Sequence, residues 1–215
     1  MRILALSDVE ESWFSRMFDR RRFEGVDLII SCGDLSAGYL EFIADMVNKP
    51  VAYVAGNHDA SFEFNPPAGC IDLDGQIRDY HGLRICGLGG SFAYNDRVYG
   101  FSEVEMRRHV SRMVLMAQAT GGVDLVVTHA PAAGYGDLDD YAHQGFECFN
   151  TLLDKMHPIN MLFGHVHAEY GADLAPIEHP SGAILCNCYG HRYIDIPDDW
   201  IPERKRSFWF GVDKL

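Results

Sequence analysis

Three times in its first third, the chain runs a short apolar segment into a small residue and then into a carboxylate or amide. Ile3-Leu4-Ala5-Leu6 leads to Ser7-Asp8-Val9-Glu10, Val26–Ser31 leads to Gly33-Asp34, and Val51–Ala55 leads to Gly56-Asn57-His58-Asp59. Apolar runs of this length without strict alternation read as strands buried on both faces. Between the second and third, Leu40, Phe42, Ile43, Met46 and Val47 repeat at helical spacing and stop near Lys49-Pro50. Strand, helix, strand in succession predicts a parallel sheet with crossover helices. Ligands of such sheets lie at the carboxyl ends of the strands, so the three polar clusters are expected to share one rim.

The later chain continues the pattern. Leu83–Leu88 and Val123–Thr128 read as strands, the second ending in His129. Ser102-Glu103-Val104-Glu105 has the form of a capping box opening a helix through Met106, Val110 and Met113. Gly121-Gly122 stops that helix, and its methionines are expected as core filler. Ser12 is expected to cap a helix carrying Trp13, Phe14, Met17 and Phe18. A helix over Cys148–Met156 precedes a strand that ends at Phe163-Gly164-His165-Val166-His167. Residues 171–215 read as β-rich, with Ala183–Cys186, Tyr193–Asp195 and Ser207–Phe210 as strands. No repeat or linker divides the chain, which is expected to be one domain over 1–215.

The two histidines of Gly164-His165-Val166-His167 stand at i and i+2. In an extended segment they point to one side, and neutral imidazole is a common ligand of divalent metals. On its own such a pair is equally at home as two ordinary hydrogen-bonded histidines. Composition narrows the partners. A net charge of −13, from 31 acidic against 18 basic residues, repels polyanions, so duplex nucleic acid is not expected to bind. No apolar run is long enough to span a membrane, and the N-terminal run is too short for a signal peptide. The cytoplasm is the expected compartment. The six cysteines lie mostly in apolar contexts and are expected reduced and buried. A 215-residue chain needs no metal to fold, so a bound metal would serve function.

Taken together, Ser7-Asp8-Val9-Glu10, Cys32-Gly33-Asp34, Gly56-Asn57-His58-Asp59, Thr128-His129-Ala130 and Gly164-His165-Val166-His167 resemble, in chain order, the motifs of the calcineurin-like metallophosphoesterase superfamily. The resemblance covers residues 7–167. It implies an α/β sandwich, two mixed β-sheets flanked by helices. It also implies a metal-dependent phosphoesterase that acts through a hydroxide activated by two divalent ions, Mn favoured and Fe or Zn possible. By resemblance Asp34 bridges the ions, Asp8, position 10 and His167 complete one site, and Asn57, His129 and His165 complete the other. His58 then acts on the phosphoryl or leaving group, off the metals. The absence of a large cap and the negative charge favour a small phosphodiester as substrate. A phosphomonoesterase or phosphoprotein phosphatase, and a non-catalytic binding or scaffolding protein keeping the fold, are the alternatives. Neither the substrate's identity nor the oligomeric state follows from the sequence.

Position 10 departs from the pattern, since Glu10 stands where the family has histidine. A carboxylate can ligate, making the site harder and more negative; if it turns away, the centre is mononuclear or degenerate. Asp59 either orients His58 or serves as a structural carboxylate. Arg97, in the Ser91–Phe101 loop, is a candidate phosphate contact or a surface ion-pair partner. The loop carrying Asp137, Asp139, Asp140 and His143 is either a lid whose His143 contacts substrate or a solvated acidic loop.

Overall fold

In the computed structural model, which describes residues 1–93, 98–203 and 212–215, successive residues of the first strand face two different cores. Ile3 and Ala5 point inward between two sheets, while Leu4 and Leu6 point outward toward a helix. That alternation of two apolar faces is what a continuous hydrophobic strand requires, and it organises the whole molecule in layers.

The strands and helices run β1 (Arg2–Ser7), β2 (Leu28–Ser31), α1 (Ala37–Val47), β3 (Val51–Tyr53), β4 (Ile71–Asp72), β5 (Ile77–Tyr80), β6 (Leu83–Leu88), β7 (Ser91–Phe92), β8 (Gly100–Phe101), α2 (Glu103–Thr120), β9 (Leu125–Thr128), α3 (Glu147–Met156), β10 (Asn160–Phe163), β11 (Ile177–Glu178), β12 (Ile184–Asn187), β13 (Gly190–Asp195) and β14 (Asp213–Lys214). One sheet has the order β13-β1-β2-β3-β4 and a second the order β11-β12-β10-β9-β6-β5-β14, with a small β7-β8 pair beside them. Strands β1 to β4 are parallel, as are β6, β9, β10 and β12; β13 joins β1 antiparallel, with Arg2 opposite Asp195 and Ser7 opposite Gly190. Both large sheets are therefore mixed, as expected.

Between the sheets, Leu28, Ile30 and Ala52 meet Ile85, Leu125, Val127 and Leu162. Outside the first sheet, Leu40, Ile43 and Val47 of α1 pack on Ile29, Val51 and Tyr53. Outside the second, Met106, Val110 and Met113 of α2 and Phe149, Leu152 and Leu153 of α3 pack on Val126, Met161 and Leu185. The methionines of α2 are core filler, and five of the six free cysteines are buried. Ser102 caps α2 with the reciprocal capping box to Glu105, and Gly121 closes it in the left-handed conformation.

Two expectations change. The segment after β1 is not a Ser12-capped helix: Ser12–Phe14 makes one 3-10 turn without a side-chain cap, and Asp19 caps a second turn, Arg20–Phe23. Phe14 is fully buried against Phe23 and His191, while Trp13 and Met17 are exposed, so Phe14 anchors a loop and the apolar residues form no helical stripe. The hairpin β5–β6 has no counterpart in the sequence reading; its turn residues His81 and Gly82 both have positive φ, the requirement of a tight two-residue turn. The expected strand Ser207–Phe210 lies outside the described residues. None of the described helices is long and apolar enough to cross a membrane.

Candidate metal centre

Parallel β1, β2 and β3 deliver Asp8, Asp34 and Asn57 to one rim, and parallel β9 and β10 deliver His129 and His165 to the adjoining rim of the second sheet. The backbone turns sharply at this seam. Asp8, Asp34 and His165 all have left-handed φ, +65°, +57° and +67°, a conformation uncommon for residues with a Cβ and concentrated at functional sites. Close approach of the two sheets requires Gly164: a Cβ there would lie 1.8 Å from Ser7 Oγ and 2.6 Å from Asp8 Oδ2.

Asp8, Asp34 and His129 converge, with one ligand-capable atom of each within 4.8 Å of the others. The side chains of Asp8, Asp34 and His129 are 1%, 9% and 0% exposed. Two buried carboxylates facing one another are unfavourable without a cation between or beside them, so this donor set fits a divalent metal. His129 Nε2 lies 3.4 Å from Asp34 Oδ2 and 3.0 Å from Asn57 Oδ1, while its Nδ1 is 2.8 Å from the Cys32 carbonyl. Because that carbonyl only accepts, Nδ1 carries a proton and Nε2 faces the acids. Burial alone would lower the His129 pKa, but the Asp34 carboxylate outweighs it and pushes the imidazole up to about 9. Burial works against Asp34 as well, yet His129 and the His58 N–H hold its carboxyl well below the usual range.

His167 Nε2 stands 3.4 Å from Asp8 Oδ1, and that bond raises the His167 pKa. The His165 backbone N–H donates to the Asp8 carboxylate, 3.0 Å to Oδ2, and the His165 ring lies 4.9 Å from that of His129. Burial, with His129 nearby, pushes His165 down to about 3, so its ring is neutral. His58 sits at the open edge: its side chain is 60% exposed, its Nε2 is 3.9 Å from Asp34 Oδ2, and its backbone N–H donates to Asp34 Oδ1 at 2.8 Å.

Glu10 stands apart from the converging group. Its side chain is exposed and its Oε1 accepts from the Ser36 N–H at 3.1 Å, at the residue that caps α1. Asp59 has the structural role: its Oδ2 accepts from the backbone N–H groups of both Asp34 and Gly56 at 2.8 Å, tying two motif loops together, and burial pushes its pKa up to about 7. His143 is brought to the centre, its ring 5.3 Å from that of His165 and its Nδ1 2.8 Å from Asp140. Asp137 caps the backbone of Gly134 and Gly145. Arg97 lies outside the described residues.

Two supporting residues escaped the sequence reading. Buried Asn187, at the end of β12, donates through Nδ2 to the Val166 carbonyl at 2.7 Å and so shapes the His165–His167 turn. An amide between two cysteines in an apolar strand was its only signal. The Ala142 carbonyl, 2.8 Å from His165 Nε2, is a backbone group and had none.

Comparison with known proteins agrees with this geometry. The family model for calcineurin-like phosphoesterases matches residues 1–169. The UPF0046 protein C25E10.12 of Caenorhabditis elegans is 25% identical over 206 residues, covering 78% of this chain and 69% of that protein. A second C. elegans protein, UPF0046 protein T07D4.2, is 31% identical over 68 residues, which cover 31% of this chain and only 17% of that protein. Two solved structures share the fold at low identity. One has a TM-score of 0.63 at 14% identity, covering 90% of this chain and 94% of its own. The other, a hypothetical protein from Thermus thermophilus, has a TM-score of 0.53 at 16% identity, covering 87% of this chain and 75% of its own. The chain belongs to the calcineurin-like phosphoesterase family.

Proposed function

We propose that the protein hydrolyses a small phosphodiester at a centre of two divalent metal ions, with Mn²⁺ favoured. The observation that carries this reading is the convergence of the shielded side chains of Asp8, Asp34 and His129 at the junction of the two sheets. Asp34 is the shared ligand: Oδ1 is held by the His58 N–H while Oδ2 faces His129. Asp8 and His167 belong to one position, and Asn57, His129 and His165 to the other. Glu10, which stands apart from the converging side chains, would have to turn toward the first position to complete it, with its Oε1 kept on the Ser36 N–H; ligating carboxylates commonly carry such a supporting hydrogen bond. Three carboxylates make this an oxygen-rich set, which suits Mn²⁺.

When bound, a pair of divalent cations supplies Lewis acidity and makes a nucleophile of water at neutral pH. The exposure of His58 at the edge, 3.9 Å from Asp34, supports a role in donating a hydrogen bond to the phosphoryl group or a proton to the leaving oxygen. Asp59 fixes the loops that hold Asp34 and Asn57, so the donors are set before substrate arrives.

The test is a panel of para-nitrophenyl phosphomonoesters and phosphodiesters, assayed with Mn²⁺, Fe²⁺ and Zn²⁺ after chelation. Expected is metal-dependent turnover with the diester preferred. A monoester preference would reassign the substrate class. Absence of turnover with every metal, together with tight retention of a phosphoester, would make this a binding protein.

A further inference from the structure

We propose that the loop Asp137–His143 is the outer support of the second metal position, fixing which nitrogen of His165 is left to ligate, with Asp140 and His143 as positioning residues. This rests on the two-metal reading above. The Ala142 carbonyl lies 2.8 Å from His165 Nε2 and can only accept, so Nε2 carries the hydrogen and the free lone pair is on Nδ1. The ring is thereby set in one tautomer and one orientation. Its backbone is set independently, by the bond from His165 N to Asp8.

The methyl side chain of Ala142 makes no hydrogen bond, and the loop's own carboxylates hold the backbone instead. Asp137 accepts from Gly134 N at 2.9 Å and from Gly145 N at 3.1 Å, closing the base of the loop. Asp140 Oδ1 accepts from Ala142 N at 3.0 Å and from His143 N at 3.2 Å, while its two oxygens lie 2.8 and 2.9 Å from His143 Nδ1. The His143 ring then packs between the rings of His165 and Tyr170, at 5.3 and 4.7 Å. Asp140 therefore grips the backbone on one side of the Ala142 carbonyl and the ring that abuts the ligand histidine on the other. Asp139, Asp140 and Tyr141 face solvent, while Ala142 and His143 tie the inner side of the loop to His165. Support of this kind around ligating histidines is worth about 10–100-fold in metal affinity.

The test is Co²⁺ titration of the chelated 215-residue chain, followed by visible absorption, for wild type, Asp140→Ala, Asp140→Asn and His143→Phe. Wild type should bind two equivalents. Asp140→Ala should bind one equivalent as wild type does and the other about 10–100-fold more weakly, with an altered absorption envelope for that ion. Asp140→Asn, which keeps the Oδ1 acceptor, should restore most of the loss. His143→Phe keeps a packing ring without the Asp140 bond and should fall between; it carries the test if Asp140→Ala does not fold. Unchanged binding of both equivalents in Asp140→Ala and His143→Phe would overturn the proposal and leave the two-metal reading standing. Equal weakening of both equivalents, with a lowered melting temperature, would also overturn it, since that is the signature of general loosening. A wild type that binds fewer than two equivalents would remove the two-metal reading itself, and the proposal with it.

Discussion

A proton on His129 Nε2, which lies 3.4 Å from Asp34 Oδ2, would compete with the metal proposed to bind there. Asp34 pushes the His129 imidazole up to about 9, so at neutral pH its Nε2 carries a proton where the proposed metal ligand would need a lone pair. Protons and metal then compete below that pKa, and the competition vanishes above it. Apparent affinity for the metal at His129 should fall by about tenfold for each pH unit below about 9 and level off above it. Mn²⁺ titrations between about pH 6.5 and 9.5 measure this, and a flat profile would mean that His129 is not a ligand. His58 should behave differently. His58→Ala should lower kcat by about 10²–10⁴-fold, the range for a positioned acid or base, with metal content unchanged; a variant that loses metal would make His58 a ligand. Glu10 offers the sharpest local question, because Ser36 already holds one of its oxygens. Glu10→Ala should weaken one metal position selectively and shift its preference away from Mn²⁺. Two-metal binding equal to wild type would reduce Glu10 to a cap of Ser36.

Strand ends are where this fold concentrates strain. Asp8, Asp34 and His165 each follow a buried strand and each adopts left-handed φ, so the sheets supply the packing that holds the unfavourable backbone. Gly164 is the narrowest point, since an added methyl would meet Ser7 Oγ and Asp8 Oδ2. Gly164→Ala should cost about 1–3 kcal/mol, as overpacking does, and should displace Asp8 enough to lower metal content. A melting curve with metal analysis checks both, and wild-type values for both would show that the loop relaxes freely. At this scale much of the site was legible. Asp8, Asp34, Asn57, His129 and His165 could be placed because each sits two residues beyond an apolar run, and a parallel sheet gathers such ends. Asp59 could not be assigned, because its partners are backbone N–H groups of Asp34 and Gly56, contacts that no residue type announces.

At the scale of the molecule, two sheets meet along a single core, and the motifs lie on the strand ends of both. Continuous apolar runs made the parallel strands readable, since burial on both faces leaves no alternation to misread. The antiparallel additions were harder. The β5–β6 turn uses His81 at φ +50°, where asparagine or aspartate would have signalled a hairpin. The segment after β1 has helical apolar spacing, but Phe14, with Phe18 beside it, packs on the core as part of a loop, a tertiary choice that overrides local pattern. What the layers bring together is one proposed dinuclear centre bridged by Asp34. The most direct test is diester hydrolysis measured against equivalents of Mn²⁺ added to the chelated protein, for wild type and for Asp34→Asn. Expected is little turnover at one equivalent, a rise that saturates at two per chain, and loss of both binding and turnover in Asp34→Asn. Turnover that needs no metal, or that saturates at one equivalent and survives in Asp34→Asn, would contradict a centre built on a shared Asp34.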